Sequence, residues 1–457
     1  MGMKRMRKAV SKAWKYVNVY VLTCVPACCQ NRGQDGEMKK ISVGGSQRPR
    51  ISSQAKKRAQ RDSAHEQGLS PVAADGPMEQ GIKILRKMYN ELTESIPAQA
   101  VAAVLLDIAP IITGAGEGKV GSGKTDKSDK GAKAIKKIME YSPEDDEEIE
   151  RDEDETPEEA INKAKEKDPL TTQCLSMQQS EYKALKDLVE EIAKRVAKEK
   201  PSKKKTVKKD EVEKILQVIP LDWETRHNGR MCTGALADAD GARAMAHSFM
   251  VNAQQIEHDF LTARDDFTGA AAHMEEREIA AGVFYDYAVV NLKHHVDGDS
   301  QEEYEEAARK FAEYLPAHLA TPKGNSQRDA AFCAPCLFAI SVSNNHVNFS
   351  DAFEAAIQTS KYYRDGRGFR LPAILELRDE ILRQIKAYGG DHSGATNHDI
   401  AYFTTVDGVE GFPGCNCGSM GGLIKWLSGQ EVEDESEEAG GQVTAKIVDR
   451  VKDKTEA

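Results

Sequence analysis

A long charged stretch divides the chain and limits what it can fold into. Residues 113–169 begin with Gly, Lys and Asp and end in the acidic run PEDDEEIERDEDETPEE, and residues 198–209 form the basic run KEKPSKKKTVKK. Such composition buries little apolar surface, so we expect a solvated loop or a disordered segment there. The two runs flank one helical pattern, and they could pair with each other or contact RNA.

The apolar patterns of the remaining chain predict strands and helices that interleave. β-rich runs predict strands at 17–22, 282–292 and 337–342. Apolar residues at helical spacing predict helices at 81–92, 98–112, 182–196, 304–315 and 371–388. Residues 242–250 also have helical spacing. Because the order lacks a regular βαβ rhythm, we expect an α+β fold with large insertions.

The charge balance excludes a uniformly basic nucleic-acid binder. The 457 residues carry a net charge of −11, but the charges are segregated, and binding depends on local patches. Residues 1–15 are basic and are expected to form either a frayed tail or an additional arm that binds nucleic acid. The end of the chain from residue 430 is acidic and is expected to be loosely structured. We see neither a secretory signal pattern nor an apolar run of roughly 20 residues, and the nine cysteines lack a disulfide-scaffold pattern. We therefore expect a cytoplasmic protein with no membrane segment and with free thiols.

The sharpest local signal is the segment 44–61, GGSQRPRISSQAKKRAQR. It holds no acid and six cations, namely Arg48, Arg50, Lys56, Lys57, Arg58 and Arg61. A helix that begins at Ser52 would offer free N–H groups and the positive end of its dipole to a phosphate. The glycines at 44 and 45 would allow an RNA strand to approach closely.

The spacing of the polar residues in this helix indicates contact with a sugar-phosphate backbone. Lys57 and Arg61 are four residues apart and share a face with Arg58 nearby. Ser52, Ser53 and Gln54 supply uncharged donors that can position a backbone without reading bases. The alternative reading is an ordinary solvated basic helix.

The segment also resembles a known family. RPRISSQAKKRAQR is similar to the Arg-Ile/Val-Ser-Ser-Gln-x-x-Lys-Arg signature of the CasC family, the backbone subunit of the type I-E CRISPR Cascade complex. Further segments resemble that family in its own order, from roughly residue 16 to 62 and from 220 to 360. They are VNVYVLTCVPACCQNRG, HNGRMCTGALADADGARAMAHSF, DFLTARDDF, AAHMEEREIAAGVFYDYAVVNL, PKGNSQRDAAF and NFSDAFEAAI.

The resemblance implies a fold shaped like a right hand. A palm of ferredoxin-like, RNA-recognition-motif type would comprise 16–80 and 215–390, with a thumb hairpin at about 250–281. A helical, highly charged fingers insertion would occupy 81–214. The basic extension 1–15 and the C-terminal segment 391–457, which ends in an acidic tail, would flank them. The family places a strand near 242–250, and we follow the family there.

The resemblance also implies function and partners. Several copies of the chain would line one guide RNA together with other Cascade subunits and leave its bases free to pair with target DNA. No catalysis, cofactor or metal is implied. A subunit that accepts any guide sequence should grip the backbone and leave specificity to base pairing.

The motif match assigns roles to particular residues. Guide-backbone contact is carried onto Arg32, Ser52, Gln54, Lys57, Arg58 and Arg61, and the chemistry of the segment adds Arg50 and Ser53. Met231 and Thr233 would lie beside a kinked nucleotide, although core packing is the other reading of Met231. Asn325 and Ser326 would lie beside the guide, but they replace the family's usual Lys-Gln. Gly33-Gln34 likewise replace the acids that usually follow Asn31-Arg32.

Other motifs point to competing functions. GKVGSGKT at 118–125 matches a P-loop pattern but lacks a preceding buried strand. Cys333 and Cys336 together with Cys415 and Cys417 could form a zinc site. Asp265-Asp266 near His273 would suit a metal-dependent ribonuclease related to type III CRISPR backbone subunits. A generic binder of single-stranded RNA is the remaining alternative.

Overall fold

The structure, a computed structural model, describes thirteen stretches of the chain. These are residues 6–7, 14–33, 36–69, 78–113, 174–198, 206–231, 234–253, 257–264, 266–267, 271–322, 333–358, 368–392 and 399–434. No helix within these stretches is both long and apolar enough to cross a membrane.

Strands and helices alternate irregularly along the chain, which confirms the mixed α+β prediction. The strands are β1 (Met6–Arg7), β2 (Tyr16–Cys28), β3 (Lys40–Val43), β4 (Ser46–Ile51), β5 (Met78–Gln80), β6 (Cys174–Ser176), β7 (Arg243–Met245), β8 (Ser248–Met250), β9 (Glu257–Arg264), β10 (Ala271–Asn291), β11 (Pro335–Ser343), β12 (Ile400–Thr404), β13 (Cys415–Asn416) and β14 (Val432–Glu433). The α-helices are α1 (Ser53–Glu66), α2 (Gly81–Thr93), α3 (Ala98–Thr113), α4 (Gln179–Val196), α5 (Lys209–Leu216), α6 (Trp223–Asn228), α7 (Gln301–Tyr314), α8 (Arg370–His392) and α9 (Met420–Leu427).

The chain forms two compact units. The first comprises Met1–Ala73 and Ala242–Ala457, and the second comprises Ala74–Gly241. Ten of the described strands form one mixed sheet in the first unit, in the order β13-β12-β11-β2-β10-β8-β4-β3, with β7 and β9 also paired to β10. Only β12 and β13 pair in parallel among these described strands. The three strands predicted from β-rich runs lie in β2, β10 and β11, in the middle of this sheet.

The central strands are buried because their side chains pack on one another and on α8. Tyr20 and Leu22 of β2 share an apolar cluster with Ile374 and Leu377 of α8. All nine residues of β11 are buried, as expected for a strand that is covered on both faces. This sheet carries, at its other end, the strands β8, β4 and β3, and β4 leads directly into α1.

The segment 242–250 is the clearest case in which apolar spacing misleads. It forms the two short strands β7 and β8, which pair with β10, as the family resemblance predicts and the helical spacing does not. One short stretch of the C-terminal segment also differs from the expectation. Residues 432–433 form β14, which pairs with β1 in the basic extension, so these two short stretches are ordered against each other.

The second unit is mainly helical. Helices α2, α3, α4 and α5 pack around one apolar cluster, which includes Leu85, Leu105, Val189 and Val212. The helices predicted at 81–92, 98–112 and 182–196 are confirmed. A two-stranded pair, β5 with β6, and the short helix α6 also belong to this unit.

Candidate nucleic-acid interface

A tight β-hairpin leads the chain into α1. β3 and β4 pair with Val43 opposite Ser46, which leaves Gly44 and Gly45 as a two-residue turn. Both glycines have positive φ, +55° and +78°, as the tightest hairpin turns require. A Cβ atom on Gly44 would lie 1.8 Å from the carbonyl oxygen of Glu354. Gly44 therefore serves the turn and a close internal contact, and the approach of an RNA strand at these glycines stays a prediction.

Helix α1 begins where the sequence predicts, because Ser52 caps it. Ser52 has extended backbone angles (φ −67°, ψ 145°), and its hydroxyl accepts a hydrogen bond from the Ala55 N–H. This is the geometry of an N-cap. The first turn carries no acidic residue, so the positive end of the helix dipole is not neutralised locally.

Two side chains from other segments hold the start of α1. The Ser52 N–H donates to Asn31 Oδ1, and the Ser53 N–H donates to His247 Nδ1, both at 2.9 Å. The N–H of Gln54 has no hydrogen-bond acceptor among the described residues. The structure therefore leaves one backbone donor of the first turn available to a ligand.

Arg48 is a structural residue. Its side chain is fully buried. The guanidinium donates to the carbonyl oxygens of Phe353 and Glu354, both at 2.7 Å, and of Val43 at 3.2 Å. Burial lowers the pKa of Arg48, but an arginine still remains charged. This residue fixes the hairpin and cannot reach a ligand outside.

Lys56 also points inward. Its Nζ lies 2.8 Å from a carboxylate oxygen of Asp286 on β10, and both side chains are almost entirely buried. One turn further along the helix, the buried Gln60 accepts a hydrogen bond from the Arg243 guanidinium at 2.6 Å. Helix α1 thus turns Lys56, Gln60 and Ala64 towards the protein interior, and the first two of these side chains are polar. Two of the six cations of the segment are therefore internal.

Lys57, Arg58 and Arg61 form the outer cationic face of α1. Arg58 is 78% exposed, and Arg58 and Arg61 both approach the carboxylate of Asp62, at 3.5 and 3.6 Å. Lys57 is half-buried and donates from Nζ to the Arg243 carbonyl at 2.9 Å. Burial, with the charge of Arg243 adding to it, lowers the pKa of Lys57. Exposed ion pairs contribute little to stability, so the contacts with Asp62 do not hold Arg58 and Arg61 tightly.

Backbone hydrogen bonds bring further polar groups beside the start of α1. The Lys39 N–H donates to the Asn31 carbonyl, and the Arg50 N–H donates to the Lys39 carbonyl, both at 2.8 Å. Arg32, which follows Asn31, forms an isolated bridge with Met38. Arg32 and Arg50 therefore lie in the same region as the capped helix.

Eight of the residues chosen from the sequence are thus brought together in the first unit. They are Arg32, Arg50, Ser52, Ser53, Gln54, Lys57, Arg58 and Arg61. The sequence did not identify Asn31, Lys39 or His247 as members of the site. Only the strand register places His247 against Ser53, so no local pattern could have shown it.

Met231 lies in the second unit and is 96% exposed. The neighbouring Arg230 is buried and makes two hydrogen bonds to the Glu181 carboxylate, at 2.7 and 2.8 Å. A little further on, the Ala235 N–H donates to the Ile111 carbonyl at 3.0 Å. The chain is therefore anchored on both sides of an apolar side chain that packs on nothing, and the core-packing alternative for Met231 is wrong.

Several sequence-based predictions lie outside the described residues. These are the roles of Thr233, Asn325 and Ser326, the P-loop pattern at 118–125, and Asp265 of the nuclease alternative. They stay predictions.

The two cysteine pairs considered for a zinc site lie in the described part of the chain. No group of three or more His, Cys, Asp or Glu side chains able to hold a metal ion occurs within the described part of the chain. Burial raises the pKa of Cys333 to about 11 and that of Cys336 to about 12, which favours thiols over the thiolates that zinc needs. Cys415 and Cys417 form a separate buried pair with their sulfurs 3.9 Å apart.

A β-hairpin occupies the range in which the resemblance predicts the thumb. β9 pairs with the first half of β10, from Ala271 opposite Arg264 to Ile279 opposite Glu257. At its base, the Glu278 carboxylate accepts hydrogen bonds from the Met38 N–H and from Lys40 Nζ, both at 2.8 Å. The hairpin is thus tied to the loop that precedes β3. Its role as a thumb stays a prediction.

Comparisons with known proteins agree with this fold. Residues 17–398 match the family model Cas_CT1975, described as CT1975-like protein, and no match is found among curated proteins. A chain of the solved structure "CRISPR RNA-guided surveillance complex, pre-nicking" superposes with a TM-score of 0.65 and 24% identity, over 90% of this chain and 99% of that one. A chain of a second "CRISPR RNA-guided surveillance complex" gives a TM-score of 0.59 and 21% identity, over the same shares. The two superpositions show that this chain shares its fold with those chains. The family match spans most of the sequence, and this chain therefore belongs to the CT1975-like protein family.

Proposed function

We propose that this chain is the guide-RNA-binding backbone subunit of a Cascade-type CRISPR surveillance complex of type I-E. The observation that carries the proposal is the outer face of α1. Lys57, Arg58 and Arg61 stand there beside a capped helix start whose Gln54 N–H has no acceptor among the described residues. Cations and free N–H groups at one helix end suit phosphate oxygens. The fold shared with chains of RNA-guided surveillance complexes supports the same assignment.

The proposed assembly follows from the demands of base pairing. Copies of the chain line up along one guide RNA and grip its sugar-phosphate track, so that the bases stay free for target DNA. The sheet-bearing unit acts as the ferredoxin-like palm, the helical unit as the fingers and the β9–β10 hairpin as the thumb. Other Cascade subunits complete the particle, which works in the cytoplasm without a membrane partner or a cofactor.

The proposed role is scaffolding, without catalysis. Within the described residues no cluster of acids, histidines or cysteines could hold a metal ion, so no observation there favours the metal-dependent ribonuclease. Purified protein incubated with guide RNA and Mg²⁺ should leave the RNA intact. Divalent-dependent cuts at a fixed spacing would support the nuclease instead.

The test is the salt dependence of binding to a fluorescently labelled guide RNA. Each phosphate contact to a single strand contributes about 0.7 to the slope of log Kobs against log salt concentration. R58A/R61A should therefore make the slope shallower by about 1.4, and K57A/R58A/R61A by about 2. Preference among guide sequences should not change, because these contacts read no bases.

A matched control exists on α7. Arg309 and Lys310 are about half exposed and share the carboxylate of Glu306, much as Arg58 and Arg61 share that of Asp62. R309A/K310A removes the same two charges from another solvated helix and should leave the slope as in the wild type. If the two double variants change the salt slope equally, or if the α1 variants do not change it, α1 is an ordinary solvated basic helix.

A further inference from the structure

His247 stands at the start of α1 with one ring nitrogen already committed. It follows β7 in the chain and precedes β8, and the residue is exposed although its imidazole is partly desolvated by its neighbours. Its Nδ1 lies 2.9 Å from the backbone nitrogen of Ser53. A backbone N–H can only donate, so Nδ1 must accept and carries no proton. In a neutral imidazole the proton then lies on Nε2, which becomes a donor.

The groups around this ring favour an uncharged imidazole in a positive environment. Burial comes first among the causes that lower the pKa of His247, followed by the positive charges of Arg50 on β4 and Lys39 just before β3. No partner of Nε2 is found among the described residues. The site therefore combines two cations with an N–H donor that is not itself charged.

We infer that His247 is a further RNA-binding residue, whose Nε2–H donates to a phosphate oxygen of the RNA while Ser53 fixes the ring through Nδ1. The inference rests on the proposed function. An anion is the ligand that suits the position, because Arg50 and Lys39 flank the donor and would repel a cation. The ring also couples the ligand to the helix, since Nδ1 of the same imidazole accepts the hydrogen bond of the first N–H of α1.

This role has a signature that distinguishes it from a cationic contact. The salt dependence of binding reports counterions released by the cations of the protein. An uncharged donor strengthens binding without releasing any. Loss of His247 should therefore weaken binding about tenfold, as for a hydrogen bond to a charged group, and leave the slope against salt unchanged.

The experiment compares H247A and H247Q with the wild type in the guide-RNA titration, at several salt concentrations near neutral pH. H247A should lose about tenfold in affinity at every salt concentration. H247Q should recover most of it, because an amide oxygen can accept from Ser53 while the amide nitrogen donates outward. Thermal melting checks that both variants are folded, and H247Q remains informative if H247A is not.

The outcomes separate the two proposals. Salt-dependent binding by the wild type with unchanged affinity in H247A would refute the role of His247 and leave the proposed function standing. A shallower slope in H247A would also refute it, because the ring would then act as a cation. Failure of the wild type to bind guide RNA would refute the proposed function itself.

Discussion

The buried pair Lys56–Asp286 allows a sharp test of how α1 is held. The charged atoms are 2.8 Å apart, and the side chains are only 2% and 7% exposed. At an effective dielectric constant of about 20, their attraction amounts to about 6 kcal/mol. The cost of removing both charges from water offsets much of that attraction. The pair is therefore worth little relative to an apolar pair, but a single partner left behind is costly.

K56M leaves the Asp286 carboxylate buried without its cation. Among the described residues, neither carboxylate oxygen of Asp286 has another hydrogen-bond partner. We expect K56M to lower the free energy of unfolding by about 3–5 kcal/mol, as for other broken buried pairs. K56M/D286L, which replaces both charges with apolar groups, should recover most of this loss.

Urea unfolding followed by circular dichroism measures both effects. The double-mutant cycle of K56M, D286L and the combined variant isolates the interaction between the two side chains. R58A is the control, because it removes a cation from the exposed face of the same helix and should change stability by less than about 0.5 kcal/mol. A loss of less than about 1 kcal/mol in K56M, or additive losses in the double variant, would refute the reasoning.

Two further predictions concern Met231 and His318. M231A should leave the melting temperature unchanged, because the side chain is 96% exposed. In the assembled particle it should lower the fluorescence of 2-aminopurine placed at the kinked guide nucleotide proposed to lie beside Met231, because that base would stack again on its neighbours and be quenched. Unchanged fluorescence would argue against contact with that base. Burial, and then the charges of Arg243 and Lys56, hold the pKa of the fully buried His318 well below its usual value. Below about pH 6.5 the unfolded state therefore binds a proton that the folded state does not, and stability should fall as the pH drops, by up to about 1.4 kcal/mol per pH unit. Urea midpoints at several pH values should show this slope in the wild type and a flatter curve in H318Q, and equal slopes would refute it.

The sequence predicts the start of α1 well, because that information is local. A serine with extended backbone at the N-cap, followed by good helix formers, needs no tertiary partner to be recognised. The central strands are equally visible, since strands that are covered on both faces are nearly continuous apolar runs. The sequence alone therefore predicts the N-cap at Ser52 and the strand at 17–22.

The direction of each cation cannot be predicted in the same way. Lys56 and Lys57 are adjacent and chemically identical, yet one is buried against Asp286 and the other reaches the Arg243 carbonyl near the surface. The inner face of α1 is polar, so it lacks the apolar stripe from which the orientation of a helix is normally inferred. Asp286 itself lies in the apolar run of β10, more than two hundred residues away in sequence.

Short strands mislead for a related reason. Residues 242–250 contain apolar side chains at helical intervals. They nevertheless form β7 and β8, because the backbone of this segment pairs with that of β10. Backbone pairing with a central strand outweighs weak local propensity. The same strand pairing brings His247 to Ser53. Local sequence patterns do not show this register, and for that reason they do not show that His247 belongs to the site.

A polar inner face explains why α1 can present its outer face in one orientation. Apolar contacts are not directional, and a helix that rotates by one residue turns by about 100°, which would carry Lys57 inward. Hydrogen bonds and ion pairs do have direction, so Asp286 and Arg243 hold Lys56 and Gln60 in one orientation. We therefore expect K56M/D286L to retain stability but to bind guide RNA more weakly than the wild type. Wild-type affinity in a stable K56M/D286L would mean that the apolar packing of α1 suffices to orient Lys57, Arg58 and Arg61.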